Sequence, residues 1–377
     1  MNAPRVAVFI PSLRGGGAER AMLLFAEGLL AKGYRVDLLV AQHEGPLVNE
    51  VPQGVRLIDL GERKVSRTLP KLTKYLVRER PQALYSTIVN ANIVAILAAE
   101  WAKRFHKLTC RVVVRESNVL APKGPLTLAR RLSGIVAPRL YRRADAVISV
   151  SHDVATELCA SSLALQGRVH TLPTPVVSAK IFELSAQPAS HPWVVERASA
   201  RDSLAARPLI IGAGRLHPQK DFPTLINAFA KIHQRSNARL IILGEGEERK
   251  RLEQQIQSLG LTECVSLPGF APNPYPFFRY ADTFVLSSRY EGMPNVLLQA
   301  MAFGTPVVAT QCQSGAQEVL TCESFGRLVP PGDVDAMAQA IEECTSLPRS
   351  ESAVRFVADR YSVQHATEEY LRAGGVV

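Results

Sequence analysis

Residues 208–246 read PLIIGAGRLHPQKDFPTLINAFAKIHQRSNARLIILGEG, and this stretch decides the fold. The apolar run LIIGA is short and bounded by Gly and Pro, the pattern of a strand buried on both faces. A turn follows, then the helical stretch DFPTLINAFAKIHQ, then a second apolar run, ARLIILGEG. Strand, helix and strand in that order form the unit of a parallel sheet. The alternation continues through the helix EERKRLEQQIQSLG, CVSLPG, the helix PNPYPFFRYA, DTFVLSS, the helix PNVLLQAMAFG, TPVVAT, GRLVPPG and the helix DVDAMAQAIEEC.

Working back toward the N-terminus, the same grammar appears a second time. VAVFIP leads through a Gly-rich turn into AERAMLLFAEGLLAKG, where Gly33 can end the helix in a left-handed conformation. YRVDLLVA, VRLIDLG, a basic helix, ALYSTIV, the helix NANIVAILAAEWAKRF, CRVVVRE, another basic helix and AVISVS follow, and Ser151 then caps HDVATELCA. Between the two blocks, residues 178–207 lose the pattern and gather Pro, Ser and Ala, as a connector does. The fold class is therefore α/β, with two doubly wound, Rossmann-like domains whose ligands collect at the C-terminal strand edges, facing across a cleft. The expected boundaries are 1–180, a linker over 181–207, 208–360, and a terminal helix in 361–377 that has the N-terminal domain as a candidate partner.

A chain of 377 residues exceeds one ordinary core, and 47% hydrophobic with 21% charged residues describes a packed globular protein. No apolar run reaches the roughly 18 to 20 residues that span a bilayer. The opening MNAPRVAVFIPSLRGGG has too short an apolar run for a signal peptide and no small-residue cleavage site, so a cytoplasmic protein is expected. The six cysteines are scattered without a C-x-x-C pair, which fits free thiols in a reducing compartment. Residues 1–185 hold 26 Lys and Arg against 14 Asp and Glu, a net of +12, whereas the remainder holds 18 against 20 and is slightly acidic. The basicity of the first half fits an anionic membrane, an acidic substrate or a plain solvated surface.

Several familiar signatures fail. Gly212-Ala213-Gly214 follows a strand, but His217 stands where a dinucleotide fingerprint needs its third glycine. Asp333 and Asp335 resemble a metal-holding acidic pair, yet they follow Pro-Pro-Gly and open a helix, where Asp333 is an N-cap. No other spacing suits a metal, and none is expected as cofactor.

What remains favours anions. Gly15, Gly16 and Gly17 lie between a strand and a helix, where backbone N–H groups can approach a ligand or simply form a tight turn. Arg215 leaves the end of a strand after Gly214, and Lys220 precedes a helix with Pro223 in its first turn. Two cations at a strand's carboxyl edge suit a phosphate, or else are solvated charges. In EGMPNVLLQ, Pro294 pre-sets a helix start with unpaired N–H groups near Gly292, Met293 and Asn295. Glu291 opens the turn, and Gln299 lies two turns deeper on nearly the same face. Taken locally, these are equally a capping carboxylate and a half-buried amide.

The combination of GGGAER, AVISVSHDVATEL, GAGRLHPQKDFPTLINAF, LGEGEERKRLE, LPGFAPNPYPFFRYADTFVLSSRYEGMPNVLLQAMAFGTPVVAT and LVPPGD resembles the family 4 retaining glycosyltransferases of the GT-B fold. The resemblance implies that Arg215 and Lys220 bind the diphosphate of a nucleotide-sugar donor, UDP-linked, and that Glu291 holds a hydroxyl of the transferred sugar. Gly292 to Asn295 would bring backbone donors to the phosphates and sugar, position 299 would face the ribose, and Gly269 and Phe270 would border the base. Gly15 to Gly17 would close over the donor. Two residues depart from the family pattern: Gln299 stands where a second Glu is usual, and no His follows RVVVRE. There Arg115, Glu116, Ser117 and Asn118 are the candidates for acceptor or sugar contact, Glu116 first.

The implied activity is metal-independent transfer of a hexose or N-acetylhexosamine from a UDP-sugar to a lipid-linked or surface-polysaccharide acceptor, as in lipopolysaccharide, capsule or O-antigen assembly. A non-catalytic nucleotide-sugar-binding subunit and a GT-B nucleotide-sugar epimerase are the alternatives. Arg67, Lys71, Lys74 and Arg78 recur at helical spacing opposite Leu69, Leu72 and Leu76, and LARRLSGIVAPRLYRR adds five arginines. Such surfaces suit the inner face of an anionic cytoplasmic membrane or a polyprenyl-diphosphate acceptor. Nucleic acid is not expected, since no aromatic residues interleave with these charges.

Overall fold

Leu209–Ala213 is buried along its whole length, as are Ala83–Thr87, Thr283–Leu286 and Val307–Thr310. Strands apolar on both faces need cover on both, and parallel β-α-β winding supplies it. The computed structural model describes residues 3–117, 136–200, 207–312 and 315–376. These divide into two compact units, Met1–Val176 with Arg360–Val377, and Val177–Asp359.

The first unit contains β1 (Arg5–Ser12), β2 (Arg35–Gln42), β3 (Arg56–Asp59), β4 (Ala83–Thr87), β5 (Arg111–Glu116), β6 (Ala146–Ser149) and β7 (Val169–Thr171). All pairings are parallel, in the order β3-β2-β1-β4-β5-β6-β7. The helices Gly17–Ala31, Leu69–Glu79, Val89–His106 and His152–Ser161 connect them. Gly33 has φ 82° beyond the first of these helices, and the Ser151 hydroxyl accepts from Val154 N, so both termini are built as their residues imply. β7 escapes sequence reading because three residues are too few to show a period.

The second unit contains β8 (Leu209–Ala213), β9 (Arg239–Leu243), β10 (Val265–Gly269), β11 (Thr283–Leu286), β12 (Val307–Thr310) and β13 (Gly326–Val329), ordered β10-β9-β8-β11-β12-β13 and again parallel. The winding direction reverses between β1 and β4 in one sheet and between β8 and β11 in the other. Such switch points leave a crevice at the strand C-termini.

The stretch expected as a bare linker is largely folded. Ala179–Ser185 and Pro192–Ser199 are helices of the second unit. Asn273 Nδ2 donates to Leu184 O at 2.8 Å, Arg197 forks onto Asp282 at 2.6 and 2.9 Å, and Arg239 stacks over Trp193 at 5.1 Å. Two-turn helices rich in Ser and Ala carry too little periodicity to be seen in advance.

The last helix, Val363–Ala373, belongs to the first unit. It crosses Gly17–Ala31 so closely that a Cβ on Gly28 would lie 2.1 Å from Thr367 Oγ1. A mid-helix glycine costs about 1 kcal/mol in propensity, and this contact is its structural reason. Tyr370 packs on Phe25 with ring centroids 5.2 Å apart, and Tyr85 Oη donates to Tyr370 O at 3.0 Å. The Tyr370 hydroxyl also receives Arg115 Nε at 2.9 Å inside the core. Replacing Tyr370 with Phe removes a partner of a buried cation, so urea denaturation should show a loss of roughly 1.5–3 kcal/mol.

Candidate active site

The second unit's residues converge at the C-terminal ends of β8 and β11. Gly214 follows β8 with φ 157°, and its N–H bonds Leu243 O at 2.9 Å. The missing side chain has a use: a Cβ there would stand 2.9 Å from Lys220 Cε. The aliphatic stem of Lys220 therefore lies across Gly214, which sets where the ammonium ends. It ends 2.5 Å from Glu291 Oε1, and Ser288 Oγ donates to the same oxygen at 2.6 Å.

The two loops that carry this pair are laced together. Ser287 Oγ donates to Lys220 O at 2.7 Å, Gln219 Nε2 to Tyr290 O at 2.8 Å, and Arg289 N to Gln219 O at 2.8 Å. Asp221, buried and at φ 47°, pairs with Arg289 at 3.2 Å, and that hydrogen bond raises the Arg289 pKa. Strain at a non-glycine left-handed residue is tolerated where neighbours over-determine it. Arg215 is exposed, with no carboxylate in ion-pair reach among the described residues. The pair Lys220–Glu291 is internally neutral, which leaves Arg215 as an exposed cation at this edge.

Pro294 caps the helix Asn295–Met301, one position before the helix proper, and its carbonyl accepts from Leu297 N at 3.0 Å. Gly315 N donates to Gly292 O at 2.7 Å, and a Cβ on Gly315 would meet the Met293 methyl at 2.4 Å, so this turn is held from behind. Gln299 is 3% exposed on the same helix. Two strands from β8, at the end of the edge strand β10, Gly269 (φ 94°) accepts from Gly244 N at 2.8 Å, and Phe270 beside it is 40% exposed. An exposed aromatic at a strand's carboxyl edge is available for stacking.

In the first unit, Gly15 (φ 98°) and Gly16 lead β1 into the helix that starts at Gly17. A Cβ on Gly16 would lie 2.0 Å from Glu19 Oε2, because the Glu19 carboxylate folds back over the loop. At the end of β5 the expectation changes for Arg115. It is 3% exposed and donates to Tyr370 Oη, to Thr174 Oγ1 at 3.0 Å and to Thr87 Oγ1 at 3.4 Å. Arg115 is thus a core cation tying strands to the last helix, not a group presented to a ligand. Side chains alternate along a strand, which sends Glu116 the other way. Its carboxylate accepts from Tyr141 Oη at 2.7 Å and from Ser117 N at 3.2 Å. Asn92 Nδ2 donates to Tyr141 Oη at 3.0 Å, and burial, then the Glu116 charge, push the Tyr141 phenol well above its ordinary pKa. Asn118 lies outside the described residues.

The basic face expected on Leu69–Glu79 is only partly free. Leu72 and Leu76 are buried opposite the charges. Lys71, however, donates to Leu60 O at 2.7 Å and pairs with Glu62 at 2.8 Å, Arg78 pairs with Glu79 at 2.8 Å, and Arg67 sits in a preceding 3-10 turn. Lys74 projects outward. Residues 128–135 of the second basic stretch lie outside the described residues. Asp333 accepts from Ala336 N at 2.9 Å as an N-cap, Asp335 pairs with Lys231, and no metal-ligating cluster occurs among the described residues.

Sequence reasoning did not reach Ser288, Tyr141 or Asn92. Tyr141 orients the Glu116 carboxylate from 25 residues away and Asn92 holds that phenol in turn, so nothing local marks either. Ser288 stands only three residues before Glu291, and its hydroxyl bond to that acid was a local signal that went unread.

Residues 15–180 match Glycosyltransferase Family 4, and residues 197–361 match Glycosyl transferases group 1. The chain belongs to glycosyltransferase family 4. The family 4 chain has the GT-B fold: it superposes on Anabaena HepE, a structure containing UDP and glucose, with a TM-score of 0.81 at 20% identity, covering 99% of this chain and 100% of that one. The lipopolysaccharide core biosynthesis glycosyltransferase LpsE of Rhizobium meliloti is 33% identical over 183 residues, 47% of this chain and 52% of that protein. The N-acetylgalactosamine-N,N'-diacetylbacillosaminyl-diphospho-undecaprenol 4-alpha-N-acetylgalactosaminyltransferase of Campylobacter jejuni is 36% identical over 133 residues, 35% of this chain and 36% of that protein. These matches span about half or less of each relative's length.

Because Gly214 makes room for the Lys220 stem, Gly214→Ala should displace the ammonium without unfolding the unit. The circular dichroism spectrum should be unchanged, while a crystal structure should show Lys220 Nζ out of hydrogen-bond reach of Glu291 Oε1 and urea denaturation a loss of roughly 1.5–3 kcal/mol, the scale of one charge-assisted hydrogen bond.

Proposed function

We propose that this family 4 protein is a retaining, metal-independent glycosyltransferase that moves a hexose or N-acetylhexosamine from a UDP-sugar to a lipid-linked or surface-polysaccharide acceptor. The observation that carries the reading is the Lys220–Glu291 contact at the switch point between β8 and β11, beside the exposed Arg215. One cation there touches both an acid suited to sugar hydroxyls and the space a diphosphate needs.

The chemistry follows from charge. As the anomeric C–O bond breaks, its electron pair passes to the diphosphate, which gains negative charge. Arg215 offsets that charge, and the Lys220 ammonium, whose charge Glu291 already balances, adds a hydrogen bond from a remaining N–H, with N–H groups of the Gly292–Asn295 turn as further donors. The anomeric carbon becomes electron-poor, the acceptor hydroxyl attacks on the face the diphosphate leaves, and a phosphate oxygen takes the hydroxyl proton. Configuration is retained.

Glu291 positions the sugar. Its negative charge does not repel the donor, because Lys220 already compensates it at 2.5 Å. Gln299 faces the ribose; an amide accepts from one hydroxyl and donates to the other, where a carboxylate accepts from both. Phe270 stacks on the base. Glu116, 2% exposed and held by Tyr141, is the first unit's candidate for acceptor contact.

The relatives' names support the acceptor class: one acts in lipopolysaccharide core biosynthesis and another on a diphospho-undecaprenol glycan. The basic first unit suits peripheral association with the inner face of the cytoplasmic membrane, where such acceptors lie. No described helix is long and apolar enough to cross a membrane.

Screening UDP-sugars for UDP release, with and without polyprenyl-diphosphate glycans, tests the proposal. The expected result is acceptor-dependent release unchanged by EDTA, with an axial or equatorial product bond matching that of the donor. Donor conversion without acceptor, or no turnover with any pair, would overturn it. Glu291→Ala should lower kcat by about 100-fold, the scale of losing one positioned transition-state contact, with UDP affinity little changed.

A further inference from the structure

The helix Val89–His106 ends in an unusual surface. Trp101 is 59% exposed and Phe105 58%, one turn apart, with ring centroids 4.8 Å from each other. They stand at the rim of a groove of roughly 1670 Å³ between this helix and Leu69–Glu79, whose floor includes Val77 and Leu97. Soluble surfaces seldom leave two adjacent large aromatics open beside an apolar trough.

The charges at the groove have one sign in excess. Lys74, Arg78, Lys103, Arg104 and Arg143 line it with the acid Glu100. Glu100 takes Arg143 at 2.7 Å, Glu79 takes Arg78 at 2.8 Å and Asp145 takes Lys103 at 3.1 Å, so the excess rests on Lys74 and Arg104. Lys74 and Arg104 have no carboxylate partner among the described residues; Arg104 lies 5.8 Å over the Phe105 ring. Aromatic side chains with wet edges, flanked by long cations whose stems lie on apolar surface, match the headgroup zone of a bilayer.

We propose that the groove between Leu69–Glu79 and Val89–His106 docks on an anionic lipid leaflet, with Trp101 and Phe105 entering the headgroup–acyl boundary and Lys74 and Arg104 meeting lipid phosphates. The inference rests on the membrane association proposed above and gives it a defined face. That face differs from the basic stripe read from sequence, since Lys71 and Arg78 of the stripe are engaged by Glu62 and Glu79. A protein partner would need a complementary acidic, apolar surface; a leaflet offers both chemistries at every point, which is why charge complementarity favours it.

The chain has two tryptophans, so Trp193→Phe leaves Trp101 as the sole indole reporter. Adding vesicles of phosphatidylglycerol and phosphatidylcholine should blue-shift its emission, and brominated acyl chains should quench it; phosphatidylcholine alone should do neither. The double variant Trp101→Ser with Phe105→Ser should lose vesicle co-sedimentation by about tenfold or more, while UDP binding stays as in the parent. If vesicles sediment the protein but Trp101 emission does not respond, membrane association stands and this face is overturned. If nothing sediments, both fail. An emission shift that follows protein concentration without lipid would place a second copy on the groove and also overturn the proposal.

Discussion

A single ion pair governs the second unit's carboxyl edge. The Lys220 ammonium sits against Glu291, and nearly every neighbouring feature is arranged to keep it there. Gly214 clears the path of the lysine stem, Ser288 shares the accepting oxygen, and backbone bonds lace the two loops. A partly buried pair of this kind is sensitive to geometry, because removing either partner leaves a charge without compensation. The arrangement also explains how an acid and an exposed cation share one edge: Lys220 cancels the charge of Glu291 locally, and Arg215 is left without a carboxylate among the described residues.

The first unit is organised differently. Its β5 ends in two consecutive charged residues that face opposite ways, Arg115 into the core and Glu116 toward Tyr141. A guanidinium at 3% exposure is tolerated only because hydroxyls of Tyr370, Thr174 and Thr87 surround it. Three of those contacts come from elements far apart in sequence, so one side chain joins strand, loop and last helix.

The two parallel sheets were legible in the sequence because fully buried strands read as short apolar runs, and the helices between them carry their own stop and start residues. Gly33, Ser151 and Asp333 each do what their chemistry implies. The helices within 181–207 were not legible, being short and poor in periodic apolar residues. In the site, glycines and charges at strand ends stood out, and the structure puts Lys220 against Glu291 with Arg215 exposed beyond β8, while Gln299 is buried in the helix that follows. The orientation of Arg115 could not be read, since RVVVRE alternates without showing which face is lined by hydroxyls. Nor could Tyr141, which matters only through a carboxylate 25 residues away, whereas Ser288 lies three residues before its partner Glu291.

The last helix closes the first unit although it is made after the whole of the second. A ribosome adding about 5–20 residues per second needs roughly 10 to 40 s to traverse the intervening segment. During that interval Val177–Asp359 emerges as a continuous, self-sufficient sheet, while the earlier sheet still lacks Tyr370 over Phe25 and Arg115. The order of completion is therefore reversed relative to the order of synthesis, and the nascent first unit has to persist with an open flank until Val363–Ala373 arrives.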